Sequence, residues 1–259
     1  MRAIALALGI VLGGAPAPPA RTETELVVFA AASLREALQA LGEAFERDHP
    51  GVRVALDFAG SQELAAQIVN GAVVDVFASA DREHVDALEH EGLVRRGHAL
   101  AGNEPVIVVP RRAAVPIAGL EDLPNAPRIV VGAPEVPIGR YTRQILERAE
   151  RRYGAGFRAR VERQVVSTEL NVRQVLAKVS LGEADAAIVY RTDAAAAAEQ
   201  VRVVAIPADL NVRAEYWIAE ITAAPHAELA RAFVEKATGE AGCAVFRRFG
   251  FSCAGRVAP

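Results

Sequence analysis

Cysteine is nearly missing from this chain: among 259 residues only Cys243 and Cys253 carry sulfhydryl groups. Two cysteines cannot build a disulfide framework, and they have no zinc-ligand spacing. Neither follows the apolar N-terminal run, which argues against a lipid-anchored cysteine. Lysine is equally scarce, with Lys178 and Lys236 the only two among 29 basic residues. The formal net charge of -3 offers no basic field for nucleic acid. Beyond the first twenty residues no apolar run reaches membrane length without charges. The five histidines include no HExxH or His-x-His setting. No Gly-x-Ser-x-Gly or phosphate-loop string occurs either, so no motif of enzymatic catalysis is present. Asp75, Asp81 and Asp185 are isolated acids, expected to cap helices or pair with bases. No cofactor and no directly ligated metal are expected.

What is present is an ordinary globular composition, 52% apolar and 24% charged. Residues 1–20 stand apart. Arg2 supplies a positive start, residues 3–12 an apolar core, and the stretch 15–20 small-residue cleavage sites, the pattern of a secretory signal peptide. A soluble secreted protein without a lipid anchor points to the periplasm, an oxidising space in which Cys243 and Cys253 could pair. Two free thiols are the alternative.

The remaining chain alternates strand and helix patterns. Residues 25–32 (ELVVFAAA), 52–58 and 74–79 read as strands, with helices over 33–49, 61–70 and 82–91 between and after them. A second series follows, with strands at 105–110, 128–133, 161–167, 186–190 and 201–206 and helices at 137–152 and 172–181. A strand over 215–222 and mostly helix over 226–249 close the chain. This order predicts an α/β protein of two lobes, each a mainly parallel sheet flanked by helices, joined by two crossing strands. The expected division is residues 21–103 plus 215–259 for lobe I and 104–214 for lobe II, with crossings near 102–105 and 212–215. In such sheets ligands sit beyond the carboxyl ends of the strands, where helices begin.

The residues at those helix starts are Ser33, in a Ser33-x-x-Glu36 capping-box pattern, Ser61 after Gly60, Ile138 behind a first-turn Pro137, and Val172 behind the capping Asn171. Each taken singly is explained by the need of helices for caps. Together they bring several unpaired N–H groups and positive helix ends toward one place, with two hydroxyls. Such a site holds an anion without any cation. Made of donors alone, it suits a deprotonated dianion such as molybdate, tungstate or sulfate, whereas hydrogen phosphate needs an acceptor for its proton.

The strings VFAAASLREAL (28–38), FAGSQELAAQI (58–68), VDVFASAD (74–81), VGAPEVPIGRYTRQIL (131–146) and NVRQVLAKVSLGEADAAIVYRTDA (171–194) resemble the periplasmic molybdate-binding proteins of ABC transporters. AVFRRFGF (244–251) is similar to the C-terminal string of many solute-binding proteins. The resemblance runs in order through the chain. It implies a type II periplasmic-binding fold that closes on its ligand by hinge motion, no enzymatic activity, a monomer, and delivery of molybdate or tungstate to a membrane permease with its ATPase. It also implies site roles: hydroxyl and backbone N–H from Ser33 and Ser61, backbone N–H from Ile138 and Val172, and the phenolic O–H of Tyr190. Ile138 stands where that family often has a smaller side chain, Trp217 where proline is common, and Cys243 where a polar residue is usual. The chain is also longer than its relatives around residues 151–160. Another tetrahedral oxyanion such as sulfate, or a ligand-sensing domain outside transport, is the alternative reading.

Overall fold

The computed structural model describes residues 23–254; the expected signal peptide lies outside them. Two sheets organise the chain. The first contains β1 (Thr24–Ala31), β2 (Val52–Ala59), β3 (Val76–Ser79), β4 (His98–Asn103), β10 (Ala214–Glu220) and β11 (Ser252–Cys253), in the order β11-β4-β10-β3-β1-β2. The second contains β5 (Pro105–Pro110), β6 (Ile129–Gly132), β7 (Val165–Glu169), β8 (Ala186–Tyr190) and β9 (Val201–Val204), in the order β7-β6-β8-β5-β9. The chain passes between the sheets twice, at Glu104 between β4 and β5 and between Val204 and Ala214.

The sheets are mixed rather than mainly parallel. β1 pairs in parallel with β2 and β3, and β6 with β7 and β8. β10 and β5, each the first strand its sheet receives from the other one, run antiparallel to their neighbours, as do β11 and β9. A strand that enters from the neighbouring sheet has no crossover helix to reverse it, so it runs against the βα series it joins.

The helices follow from apolar periodicity. In α1 (Arg35–Asp48) Leu38, Leu41 and Phe45 are fully buried at helical spacing, whereas Glu43 and Arg47 face out. α2 (Ser61–Val69) buries Leu64 and Ile68, α4 (Pro137–Tyr153) buries Ile145, Leu146 and Ala149, and α6 (Val172–Ser180) buries Val175, Leu176 and Val179. α3 (Glu83–His90), α5 (Phe157–Glu162), α7 (Arg191–Ala196), α8 (Ala227–Thr238) and α9 (Glu240–Arg248) complete the layers. β3 and β8 are buried along their whole length, as strands covered on both faces must be.

Two expected details are corrected. Residues 161–167 do not start a strand at Val161: that residue is a buried position of α5, and β7 begins at Val165. The reason is a turn through Gly154 and Gly156, both at positive φ, which folds the segment that follows α4 back as α5 and seats Phe157 and Val161 in the core. The Ser33-x-x-Glu36 pattern forms no capping box either. Ser33 lies inside a short 3-10 turn, Ala32–Leu34, that leads into α1, and Glu36 turns away to Arg173. Cys243 and Cys253 are joined as a disulfide across a Cα–Cα distance of 5.3 Å, tying α9 to β11.

Candidate anion-binding site

Six parallel strands end at one place. β1 runs out into Ser33, β2 into Ser61 and β3 into Ala80; β6 leads to Ile138, β7 to Val172, and β8 ends on Tyr190 itself. All six residues line one cavity between the two sheets, and Ser33, Ser61, Ile138, Val172 and Tyr190 are each at most 4% exposed. Its volume is about 10 Å3, room for about one water and far below the ~300–1,000 Å3 pockets that take drug-sized ligands. A larger hollow of about 410 Å3 lies beside Cys243 and Cys253 and gathers no such convergence of helix starts.

The hydrogen-bond state of each residue fixes what it can offer. Ser61 Oγ accepts the backbone N–H of Ala80 at 3.0 Å. Ser33 Oγ accepts the phenolic O–H of Tyr216 at 3.0 Å. A hydroxyl has one hydrogen and two lone pairs, so both serines keep their hydrogen free to donate. At the start of α6 the Asn171 side chain accepts from the N–H groups of Arg173 and Gln174, both at 3.1 Å. This cap satisfies the second and third N–H of the helix and leaves the first, that of Val172, for the cavity. At the start of α4, Pro137 has no N–H, so Ile138 carries the first N–H of that helix. The side chains of Ile138 and Val172 are therefore irrelevant to hydrogen bonding and serve as wall.

Tyr190 is fully buried, and its hydroxyl has no hydrogen-bond partner among the described residues. Burial, then the neighbouring phenols Tyr216 and Tyr141, hold its pKa well above the usual tyrosine value, so the group stays a neutral O–H donor. A buried hydroxyl without a partner is costly, so Tyr190 brings an unspent donor to the residues that line the cavity. Tyr190 stacks edge-on between Tyr141 and Tyr216, at ring separations of 6.3 and 5.6 Å, and these contacts fix its direction.

The nearest cations are committed elsewhere. Arg140 of α4 pairs with Asp81, and with Glu83 at 3.1 Å, across the cleft. Arg173 of α6 pairs with Glu36 of α1 at 2.5 Å and with the buried Asp193 at 2.6 Å. Although the Nε–Oδ1 separation is that of an ion pair, its angle does not make a hydrogen bond, and both Asp193 oxygens lack one. Burial pushes the Asp193 carboxyl up to about 7, with Arg173 pulling it back. The cavity is thus lined by neutral donors and flanked by ion pairs that join the two sides. Asp81, Asp75 and Asp185 all pair, Asp75 with the N–H groups of Val27 and His226 and Asp185 with Arg128.

The five residues singled out from sequence thus come together. Sequence reasoning missed Tyr216, Arg140, Arg173 and Asp193 and gave Glu36 a capping role it does not have; all five act through neighbours. Spacing gives no signal for them, because their partners lie from 20 to 183 positions away along the chain.

The family of bacterial extracellular solute-binding proteins matches residues 26–252, almost the entire described chain. The chain belongs to this family. This solute-binding protein is 39% identical over 240 residues to the molybdate-binding protein ModA of Mycobacterium tuberculosis, across 92% of this chain and 88% of the relative. Against ModA of Escherichia coli the identity is 33% over 240 residues, covering 89% and 90%. Its fold superposes on the periplasmic molybdate-binding protein of Azotobacter vinelandii with a TM-score of 0.73 at 20% identity, covering 90% of this chain and 99% of that one. Membership makes the chain a binding protein rather than an enzyme.

Proposed function

We propose that this protein is the periplasmic binding component of an ABC importer and captures molybdate, with tungstate as an equivalent ligand, between its two lobes. Among the described residues, those before Glu104 and those from β10 onward form lobe I, and those between them form lobe II. Ser33 and Ser61 donate through their hydroxyls and N–H groups, Ile138 and Val172 through backbone N–H, and Tyr190 through its phenol. The loaded monomer then delivers the anion to a membrane permease and its ATPase. One observation carries the reading: a small cavity on which the starts of several helices and two serine hydroxyls converge, with an unpartnered, buried Tyr190 O–H among its lining residues. Donors without an acceptor favour an anion that holds no proton.

Size does the remaining selection. Molybdate and tungstate have longer central-atom-to-oxygen bonds than sulfate. Donors fixed on two closing lobes cannot all reach a shorter anion, and each unreached buried donor costs about 1–3 kcal/mol. Two such failures give a preference of about a hundredfold or more. Titration calorimetry with molybdate, tungstate, sulfate and phosphate tests this. The first two should bind at least about a hundredfold more tightly than sulfate; no heat with molybdate would overturn the assignment, and equal affinities would make sulfate the ligand class.

A further inference from the structure

We infer that Tyr216, held by Asn103, is a specificity-determining positioning residue that bars protonated oxyanions by fixing the direction of the Ser33 hydroxyl; this rests on the oxyanion reading above. Serine alone does not make a donor-only site, because a hydroxyl can turn and present a lone pair to a ligand's own O–H. What fixes Ser33 is a one-way chain of hydrogen bonds that starts where the polypeptide crosses between the sheets. The N–H of Glu104 donates to Asn103 Oδ1 at 2.9 Å. That bond sets the orientation of the amide, so Asn103 Nδ2 is the atom facing Thr192 Oγ1 at 2.9 Å and Tyr216 Oη at 3.3 Å. An amide nitrogen only donates. Tyr216 therefore accepts from Asn103, and its own hydrogen is left with one acceptor within reach among the described residues, Ser33 Oγ at 3.0 Å. That bond takes one of the two Ser33 lone pairs; because the Ser33 hydrogen has no other acceptor among the described residues, turning the remaining lone pair to the cavity would strand it, and the hydrogen is directed to the cavity instead.

The side-chain links are buried: Asn103 is 7%, Tyr216 0% and Ser33 2% exposed. Burial, then the charge of Asp193, holds the Tyr216 phenol protonated. Ser61 is fixed more simply, by a backbone N–H that no side-chain change can reverse. Ser33 is thus the one serine of the site whose direction depends on side chains, and Tyr216 and Asn103 are those side chains. Neither lines the cavity, so their effect on selectivity runs through Ser33.

Selenate and hydrogen arsenate isolate the effect. They are tetrahedral dianions of closely similar size at mildly alkaline pH, and only the second holds a proton. In Tyr216→Phe the Ser33 hydroxyl loses its partner and is free to accept. In Asn103→Asp a carboxylate takes the Tyr216 hydrogen, Tyr216 takes that of Ser33, and Ser33 turns a lone pair to the cavity. The added charge weakens both dianions alike, so the ratio of their affinities remains the readout. Competition against molybdate at pH 8, with thermal unfolding of each ligand-free variant as the check on folding, gives that ratio. The expected result is a selenate-to-arsenate preference at least about tenfold smaller in either folded variant than in wild type. A ratio equal to that of wild type, with both affinities reduced together, would make Tyr216 and Asn103 merely structural and overturn the inference while leaving the proposed function intact. Wild-type protein that binds none of these anions would overturn both.

Discussion

Tyr190 carries the clearest consequence at the level of a single residue. Its hydroxyl is buried and unpartnered among the described residues, so removing it costs the ligand-free protein nothing in hydrogen bonds. Tyr190→Phe should leave the unfolding temperature of the free protein unchanged or slightly raised. The same change deletes a donor to a charged acceptor, and molybdate affinity should fall by about 1.5–3 kcal/mol in titration calorimetry. A variant that binds like wild type would place the anion elsewhere. The sequence made Tyr190 legible only through its resemblance to a family string, whereas Ser61, Ile138 and Val172 were legible physically, since helix starts beyond strand ends are where backbone donors are free. Ser33 shows the limit. It reads as an N-cap, and it instead sits within a 3-10 turn, where Tyr216, 183 positions distant, takes over its lone pair. A cap is a local pattern, and such a partner is not.

At the scale of elements, the α/β alternation was readable because each strand and helix buries a whole face. β4 was not: HALAGN has neither β-branched residues nor alternation, and it is a strand because β10 and β11 pair with its two sides. The contact of α6 with α1 and α7 was also invisible, and it has a testable sign. Arg173 holds the buried Asp193, whose carboxyl is pushed up to about 7 by burial against the pull of Arg173. A folded-state pKa above the unfolded value of about 3.9 means that the native protein keeps a proton which the unfolded chain releases. Stability from this group is complete below about pH 4 and is lost as pH rises through 7. Arg173→Met removes the pull, raises the folded pKa further and extends that loss to higher pH, enlarging it by about 1.4 kcal/mol for each added unit. Unfolding temperatures recorded between pH 5 and pH 8 should fall more in the variant than in wild type. Parallel curves would show that Arg173 does not govern Asp193.

For the whole molecule the question is how the two sides meet, and Gly60 decides it. Gly60 precedes α2 with φ -67° and ψ 143°, an extended conformation that alanine adopts freely. Its glycine identity therefore has nothing to do with backbone freedom. A Cβ placed there would lie 2.3 Å from the carbonyl oxygen of Leu170, across the cleft, which also accepts the Gln62 amide at 2.6 Å. The Gln62 side chain beside it can swing away, but the Leu170 backbone leads directly into the Asn171 cap and the Val172 N–H. It cannot retreat without withdrawing a donor from the cavity. Gly60→Ala thus opposes the closed arrangement alone, while an open one accepts the methyl group without strain. Overpacking of this kind costs about 1–3 kcal/mol, so molybdate affinity should drop roughly tenfold to a hundredfold. The unfolding temperature of the ligand-free variant should barely move, because with the lobes apart the added methyl meets only the flexible end of the Gln62 side chain, which can swing away. Small-angle scattering in saturating molybdate should report a more extended particle than wild type. Unchanged affinity and an unchanged radius of gyration would mean that the ligand is held without the approach of Gly60 to Leu170, and that closure between the two sheets is not what completes the site.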